Sequence, residues 1–210
     1  MVKRTKWAKM VQPFASDIEA RAFYLVFSLW LLSEIVGAGI IPRLRRHGTQ
    51  IKRKEYSSYG FMMVSIFLSF YIANVFALSG IAKLPSWVFY PGITLMVLGV
   101  LLRQWSIALL GRFFSSIVAI QEGQKVVDKG PYRLVRHPSY TGAFLIFVGL
   151  GLALQSWGAI LLLVLMFGLA YGYRMYKEEE AMISELGDEY IKYSKRTKRL
   201  IPYVLWSLYC

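Results

Sequence analysis

Five apolar runs separated by polar gaps dominate the 210-residue sequence and limit what it can fold into. A helix that crosses the hydrocarbon core of a bilayer needs about 20 mostly apolar residues. Runs of that kind cover residues 18–41, 59–82, 86–110, 138–155 and 157–176. Ser16-x-x-Glu19 introduces the first with the pattern of a helix capping box. Pro91 falls in the first turns of the third, where a local bend compensates the lost amide donor. Only "QSWG" separates the last two, which predicts a tight antiparallel hairpin. The expected fold class is all-α: an integral membrane bundle of about five transmembrane helices with a cytosolic C-terminal helical segment.

The polar gaps supply a direction. The chain carries a formal charge of +13 with 56% hydrophobic residues, and its Lys and Arg gather between the apolar runs. That pattern favours a membrane role over nucleic-acid binding. Six Lys or Arg lie in 42–58, five in 111–137 and six from Lys177 onward, against four in the first ten residues plus Arg21 and Lys83. The positive-inside rule then puts the N-terminus outside and the C-terminus in the cytosol. One domain is expected over 1–210: an interfacial arm (1–17), three spans (18–110), a cytosolic loop (111–137), two spans (138–176) and a cytosolic tail (177–210). The loop and tail meet on one side of the membrane.

Several chemistries are excluded by what the sequence lacks. The single Cys210 permits no intrachain disulfide, and His47, His137 and Cys210 cannot furnish a zinc site alone, so no metal is expected. Cys210 is the last residue, whereas a prenylation signal places its Cys fourth from the end. Gly37-x-Gly39 and Gly149-x-Gly151 lack the third glycine of a dinucleotide fingerprint and sit in apolar runs, where glycine serves close helix packing.

Three ionisable residues, Glu34, Arg103 and Arg174, lie inside apolar runs. A charge at membrane depth costs about 2.5–3.5 kcal/mol on insertion scales, so each must face a partner, a cavity or the headgroups. Glu34 and Arg103 lie at similar distances from the same membrane face and are placed to pair or, for Arg103, to snorkel. Arg174 and Glu178 share a helix face, and Glu179 and Glu180 follow. In "GPYRLVRHPSYTG", Pro138 suits the first turn of a helix. The amides of that turn and the Arg136 fork can receive an anion. A plain capped helix, with Arg136 on lipid phosphates, fits the same residues.

The C-terminal half resembles the isoprenylcysteine carboxyl methyltransferase family, part of a wider group that includes phospholipid N-methyltransferases. The likeness rests on RHPxYxG at Arg136, His137, Pro138, Tyr140 and Gly142, and on the pattern at Arg174, Glu178, Glu179, Gly187, Tyr190, Tyr193, Arg196 and Pro202. It implies an S-adenosylmethionine-dependent enzyme whose isoprenoid-tailed lipid acceptor arrives through the bilayer. It further implies a cofactor pocket made by Arg136, His137, Pro138, Tyr140, Gly142, Glu178 and Glu179, closed by the tail. Arg103, Arg174, Arg196 and Arg199 become candidates for the acceptor's anionic group. Two departures stand out: relatives often have His where Gln124 stands, and "RVP" where Arg196-Thr197-Lys198 stands.

The residue types suit that chemistry. Methyl transfer from a sulfonium is an in-line displacement that needs positioning and placed charge, not a metal or a covalent intermediate. The expected acceptor is the carboxylate of a prenylated cysteine or a similar acid. A phospholipid amine, which must first lose a proton, is the alternative. A sterol-type membrane reductase and a non-catalytic membrane module are the readings of other classes.

Overall fold

A computed structural model describes residues 14–45 and 51–201, with the side chains of 51–54 excepted. Residues 1–13 of the arm, His47, Pro202 and Cys210 lie outside the described residues.

Ser16 starts the first helix as expected: its hydroxyl accepts the Glu19 amide at 3.2 Å, and the Glu19 carboxylate accepts the Ala15 amide at 2.8 Å. Helix α1 (Asp17–Ser33) continues without a break into a π-helical stretch (Glu34–Ile40) and a last short helix, α2 (Ile41–Arg45). Helices α3 (Ser57–Ser79) and α4 (Phe89–Leu110) follow, then α5 (Pro138–Ala153), α6 (Trp157–Leu186) and α7 (Asp188–Arg196). Pro91 sits in the first turn of α4, where no amide donor is required.

Four of these helices are long and apolar enough to cross a membrane, and α5 is the shorter fifth apolar helix. Large apolar side chains such as Leu25, Phe67, Leu98 and Leu161 stay exposed along them, a surface that suits lipid. The chain is a multi-pass membrane protein with an α-helical bundle.

Close glycine contacts hold α4 against α5. A methyl group on Gly92 or Gly149 would strike the other helix's backbone, and one on Gly142 would lie 2.6 Å from the Gly99 carbonyl oxygen. Such contacts bring helix backbones together where lipid gives no hydrophobic drive for association. Phe147, Leu150, Leu163 and Phe167 fill the space between α5 and α6. The predicted hairpin between them is present. Ser156 accepts the Ala159 amide at 3.3 Å to start α6, while Gln155 O and Trp157 N bond Leu84 and Ala82.

Helix lengths position the polar chemistry. Helix α5 has 16 residues, about 24 Å, which is short of a core about 30 Å thick. Helix α6 has 30 residues, about 45 Å, so it continues past the apolar run that ends at Tyr176, as the shared face of Arg174 and Glu178 implies, and carries Glu178 and Glu179 beyond it. The start of α5 and the projecting end of α6 are thereby brought to the same boundary.

One expectation is corrected there. Segments 42–58 and 111–137, read as loops, each contribute a strand, β1 (Ile51–Glu55) and β2 (Val118–Gln121), paired antiparallel with an irregularity between Ile51 and Arg53. "IKRKE" has no apolar alternation and "VAIQ" is four residues long, so neither carries a strand signal of its own. Glu55 then caps α3. Against the upward push of partial burial, bonds from the Ser57 and Ser58 hydroxyls and the Ser58 amide hold its carboxyl down to about 2.

Candidate functional site

Where β2, the start of α5, the end of α6 and α7 converge, they enclose a cavity of about 140 Å³. One wall is apolar, with Phe113, Phe114, Ile117, Val126 and Met182. The other is polar, with Arg136, His137, Ser139, Tyr140 and Glu178. Helix α7 roofs it with Tyr190 and Tyr193.

Local structure fixes the polar wall. Residues 134–137 run beside 197–199 as a short parallel bridge: Lys198 N donates to Leu134 O, Arg136 N to Lys198 O and His137 N to Arg199 O. His137 is the N-cap and Pro138 the first residue of α5. The amides of Tyr140 and Thr141 turn back onto the His137 carbonyl at 2.9 and 3.0 Å, so the helix start offers less to an anion than the sequence suggested. The His137 and Tyr140 rings stack, 5.4 Å apart and 5° from parallel.

Behind this wall lies a dense ion network. Glu179, 2% exposed, takes Arg136 Nε at 2.9 Å, His137 Nε2 at 3.1 Å and a forked contact from Arg199. Arg136 Nη1 donates to the carbonyls of Ser194 and Thr197. Glu178, in contrast, faces the cavity and accepts the Tyr140 hydroxyl at 2.5 Å, with Arg174 Nη2 at 3.2 Å. Arg174 Nε donates to the Tyr140 oxygen at 2.8 Å. Among the described residues its Nη1 is buried without a partner, as are both side-chain amide atoms of Gln121 on β2.

The roof tyrosines stay protonated. Burial, seconded by the Glu179 charge, raises the Tyr190 hydroxyl above its usual range, and burial and Asp128 raise Tyr193. Burial likewise raises Tyr132 well above its usual range, and its hydroxyl donates to Ser106 O at 3.3 Å. These groups act as hydrogen-bond donors, not bases.

The structure sorts the residues singled out from the sequence. Arg136, His137, Tyr140 and Glu178 are brought together on the cavity wall. Pro138, Glu179, Arg174 and Arg199 stand behind it or build the network. Gly142 lies at the α4–α5 crossing, with Arg103 N and Gly99 O where a side chain would go, so the close helix contact requires glycine there. Arg103 is held by Glu34 and Ser139. Arg196 is on the surface, paired with Asp128 at 2.5 Å. Sequence reasoning missed Lys125 and Tyr132 in the lining and undervalued Gln124, which also lines the cavity. No motif marks Lys125, whereas Tyr132 stands in the quoted "GPYRLVRHPSYTG" and Gln124 at the position where relatives often have His.

The sequence profile of the isoprenylcysteine carboxyl methyltransferase (ICMT) family matches residues 92–184. Protein-S-isoprenylcysteine O-methyltransferase B of Arabidopsis thaliana is 29% identical over 136 residues, 64% of this chain and 68% of that one. Protein-S-isoprenylcysteine O-methyltransferase of Schizosaccharomyces pombe is 33% identical over 111 residues, 52% of this chain, which spans about half (47%) of that relative's length. A solved structure of the eukaryotic intramembrane Ras methyltransferase ICMT superposes with a TM-score of 0.64 at 22% identity, covering 93% of this chain and 71% of that one. That likeness speaks for the fold. The profile covers α4, α5 and most of α6, the helices that carry the polar wall of the cavity. Through residues 92–184, fewer than half of its 210 residues, the chain is similar to the isoprenylcysteine carboxyl methyltransferase family.

Proposed function

We propose that the protein is an integral membrane methyltransferase that uses S-adenosylmethionine to methylate the carboxylate of a prenylated cysteine. The observation that carries this reading is the divided cavity at the helix boundary, with one apolar wall and Arg136, His137, Tyr140 and Glu178 on the other. Ser139 and Gln124 add further polar groups to the cavity lining.

S-adenosylmethionine supplies an electrophilic methyl group on a sulfonium. Phe114, Ile117 and Val126 suit its flat apolar portion, and Glu178 suits its ammonium. Arg136 has Nε and Nη1 engaged, which leaves Nη2 for its carboxylate. The tyrosines of α7 cover part of the cavity, and water displaced from it by a bound cofactor strengthens these contacts. A carboxylate acceptor is already ionised at neutrality and asks for orientation rather than deprotonation. Arg174, held behind the wall on Tyr140 and Glu178 and with Nη1 unpartnered among the described residues, is the fork we assign to that task. The N-terminus outside and the site on the cytosolic face follow from the Lys/Arg asymmetry. The whole chain works as one membrane-embedded unit, its lipid acceptor entering from the bilayer.

Calorimetry with S-adenosylhomocysteine, followed by methyl-transfer assays on prenylcysteine and aminophospholipid acceptors, tests the reading. We expect binding, transfer to prenylcysteine and a chemical step nearly flat from about pH 6 to 9. Transfer to the amine alone, rising about tenfold per pH unit, favours the phospholipid enzyme instead.

A further inference from the structure

The geometry points to Glu34, on the first span, as a positioning residue for methyl transfer, acting through Arg103 on the first turn of α5. The inference rests on the methyltransferase reading and adds to it a residue outside the family-matched segment.

Glu34 receives Arg103 Nε at 2.5 Å and Nη2 at 2.8 Å, a two-bond fork between helices α1 and α4. The remaining arm of the guanidinium, Nη1, donates to Ser139 Oγ at 3.1 Å and Ser139 O at 3.3 Å. Ser139 is the second residue of α5, between His137 and Tyr140, and lines the cavity. One cation thus joins three spans, and its third contact sits on the segment that presents the polar wall.

The chain around Glu34 is built to hold that joint. Glu34 is the first residue of the π-helical stretch, a form that is rare and concentrates at functional positions. Beside it, Gln104 Nε2 donates to Ser33 O and Oγ, both at 3.2 Å, and its carboxamide oxygen fills the place of a Gly37 side chain. Further along, Ser116 Oγ donates to Ala38 O at 2.9 Å. Packing alone does not require an ion pair here, because apolar residues of equal volume commonly replace a buried pair without loss of stability. What the pair adds is direction. A guanidinium fixed on two nitrogens can present its third at only one angle. Without Glu34, Arg103 is free to turn toward the other carboxylates near the wall, Glu178 or that of the acceptor.

The test is Glu34→Gln in the full-length protein, with prenylcysteine as acceptor. We expect kcat to fall about tenfold to a hundredfold, as for a small misplacement of reacting groups, with S-adenosylhomocysteine affinity within about twofold of wild type. Combining it with Arg103→Gln is expected to be no slower than Arg103→Gln alone, since the two residues form one unit. A kcat within about twofold of wild type, or losses that multiply, overturns the inference. Glu34→Asp, which keeps the charge but shortens the reach, is the second variant should Glu34→Gln not fold. It is expected to show reduced kcat with intact cofactor affinity, and unaltered kcat overturns the inference. Should the wild-type protein transfer no methyl group to prenylcysteine, the functional reading fails by itself. Hydrogen exchange at the amides of 136–141 then decides the joint: faster exchange in Glu34→Gln supports it, and unchanged exchange overturns it.

Discussion

Two acid–base clusters lie on the two sides of Ser139, and they solve the problem of buried charge differently. Glu34 and Arg103 form a single closed fork among three spans, one acid for one base. The Glu178–Glu179 cluster surrounds two acids with Arg136, His137, Arg174 and Arg199, and keeps one acid turned inward and the other turned to the cavity. A closed fork fixes geometry and offers little to a ligand. An open cluster with a surplus of bases keeps a charged group on display while its neighbours hold the scaffold. The adjacent residues Glu178 and Glu179 divide these tasks because consecutive helical positions point about 100° apart.

The largest expected effect comes from Glu179→Gln. Glu179 is buried at 2% exposure and neutralises Arg136 and Arg199 together. Removing one partner of a buried pair leaves charge uncompensated and costs about 3–5 kcal/mol. Thermal unfolding in detergent should show a marked loss of stability, and cofactor binding should fall with it. Unaltered unfolding would mean that the network behind the wall is not what holds the tail segment against residues 134–137.

Glu178→Ala sharpens the contrast from the other side. Its side chain is 24% exposed and its partners, Tyr140 and Arg174, also bond each other, so stability should change much less. A lost contact to a charged ligand group costs about 1.5–3 kcal/mol, or about tenfold and more in dissociation constant. Calorimetry with S-adenosylhomocysteine measures it. Equal affinity in variant and wild type would remove Glu178 from the cofactor's ammonium.

This division explains what the sequence disclosed. The spans were legible because apolar runs bounded by polar gaps follow from the bilayer itself, and Ser16 and Pro138 marked two starts that the structure keeps. Arg103 and Glu34 were legible as partners since charges in apolar runs must find one another. Glu178 and Glu179 were not separable, because both stand in a run of acids and only the packing of α7 and residues 197–199 decides which is buried. Gly142 was assigned to the cofactor by its motif. Its reason for being small is the α4 backbone, which no one-dimensional pattern names. The β1–β2 ribbon escaped notice because its strands gain their partners across about 60 residues of chain and lack alternation of their own.

The smallest effect is expected at Arg196, and it tests whether either cluster extends to the surface. Arg196 and Asp128 are 61% and 36% exposed, and pairs of that kind contribute about 0–1 kcal/mol and weaken with salt. Arg196→Lys keeps the charge, so stability and turnover should stay near wild type. Arg174→Lys makes the informative counterpart: Lys cannot contact Tyr140 and Glu178 through a planar fork while presenting a further N–H, so turnover should fall more than cofactor affinity. If instead Arg196→Lys lost turnover and Arg174→Lys did not, the acceptor's anionic group would have to be sought under the α7 surface. The open cluster would then serve the cofactor alone.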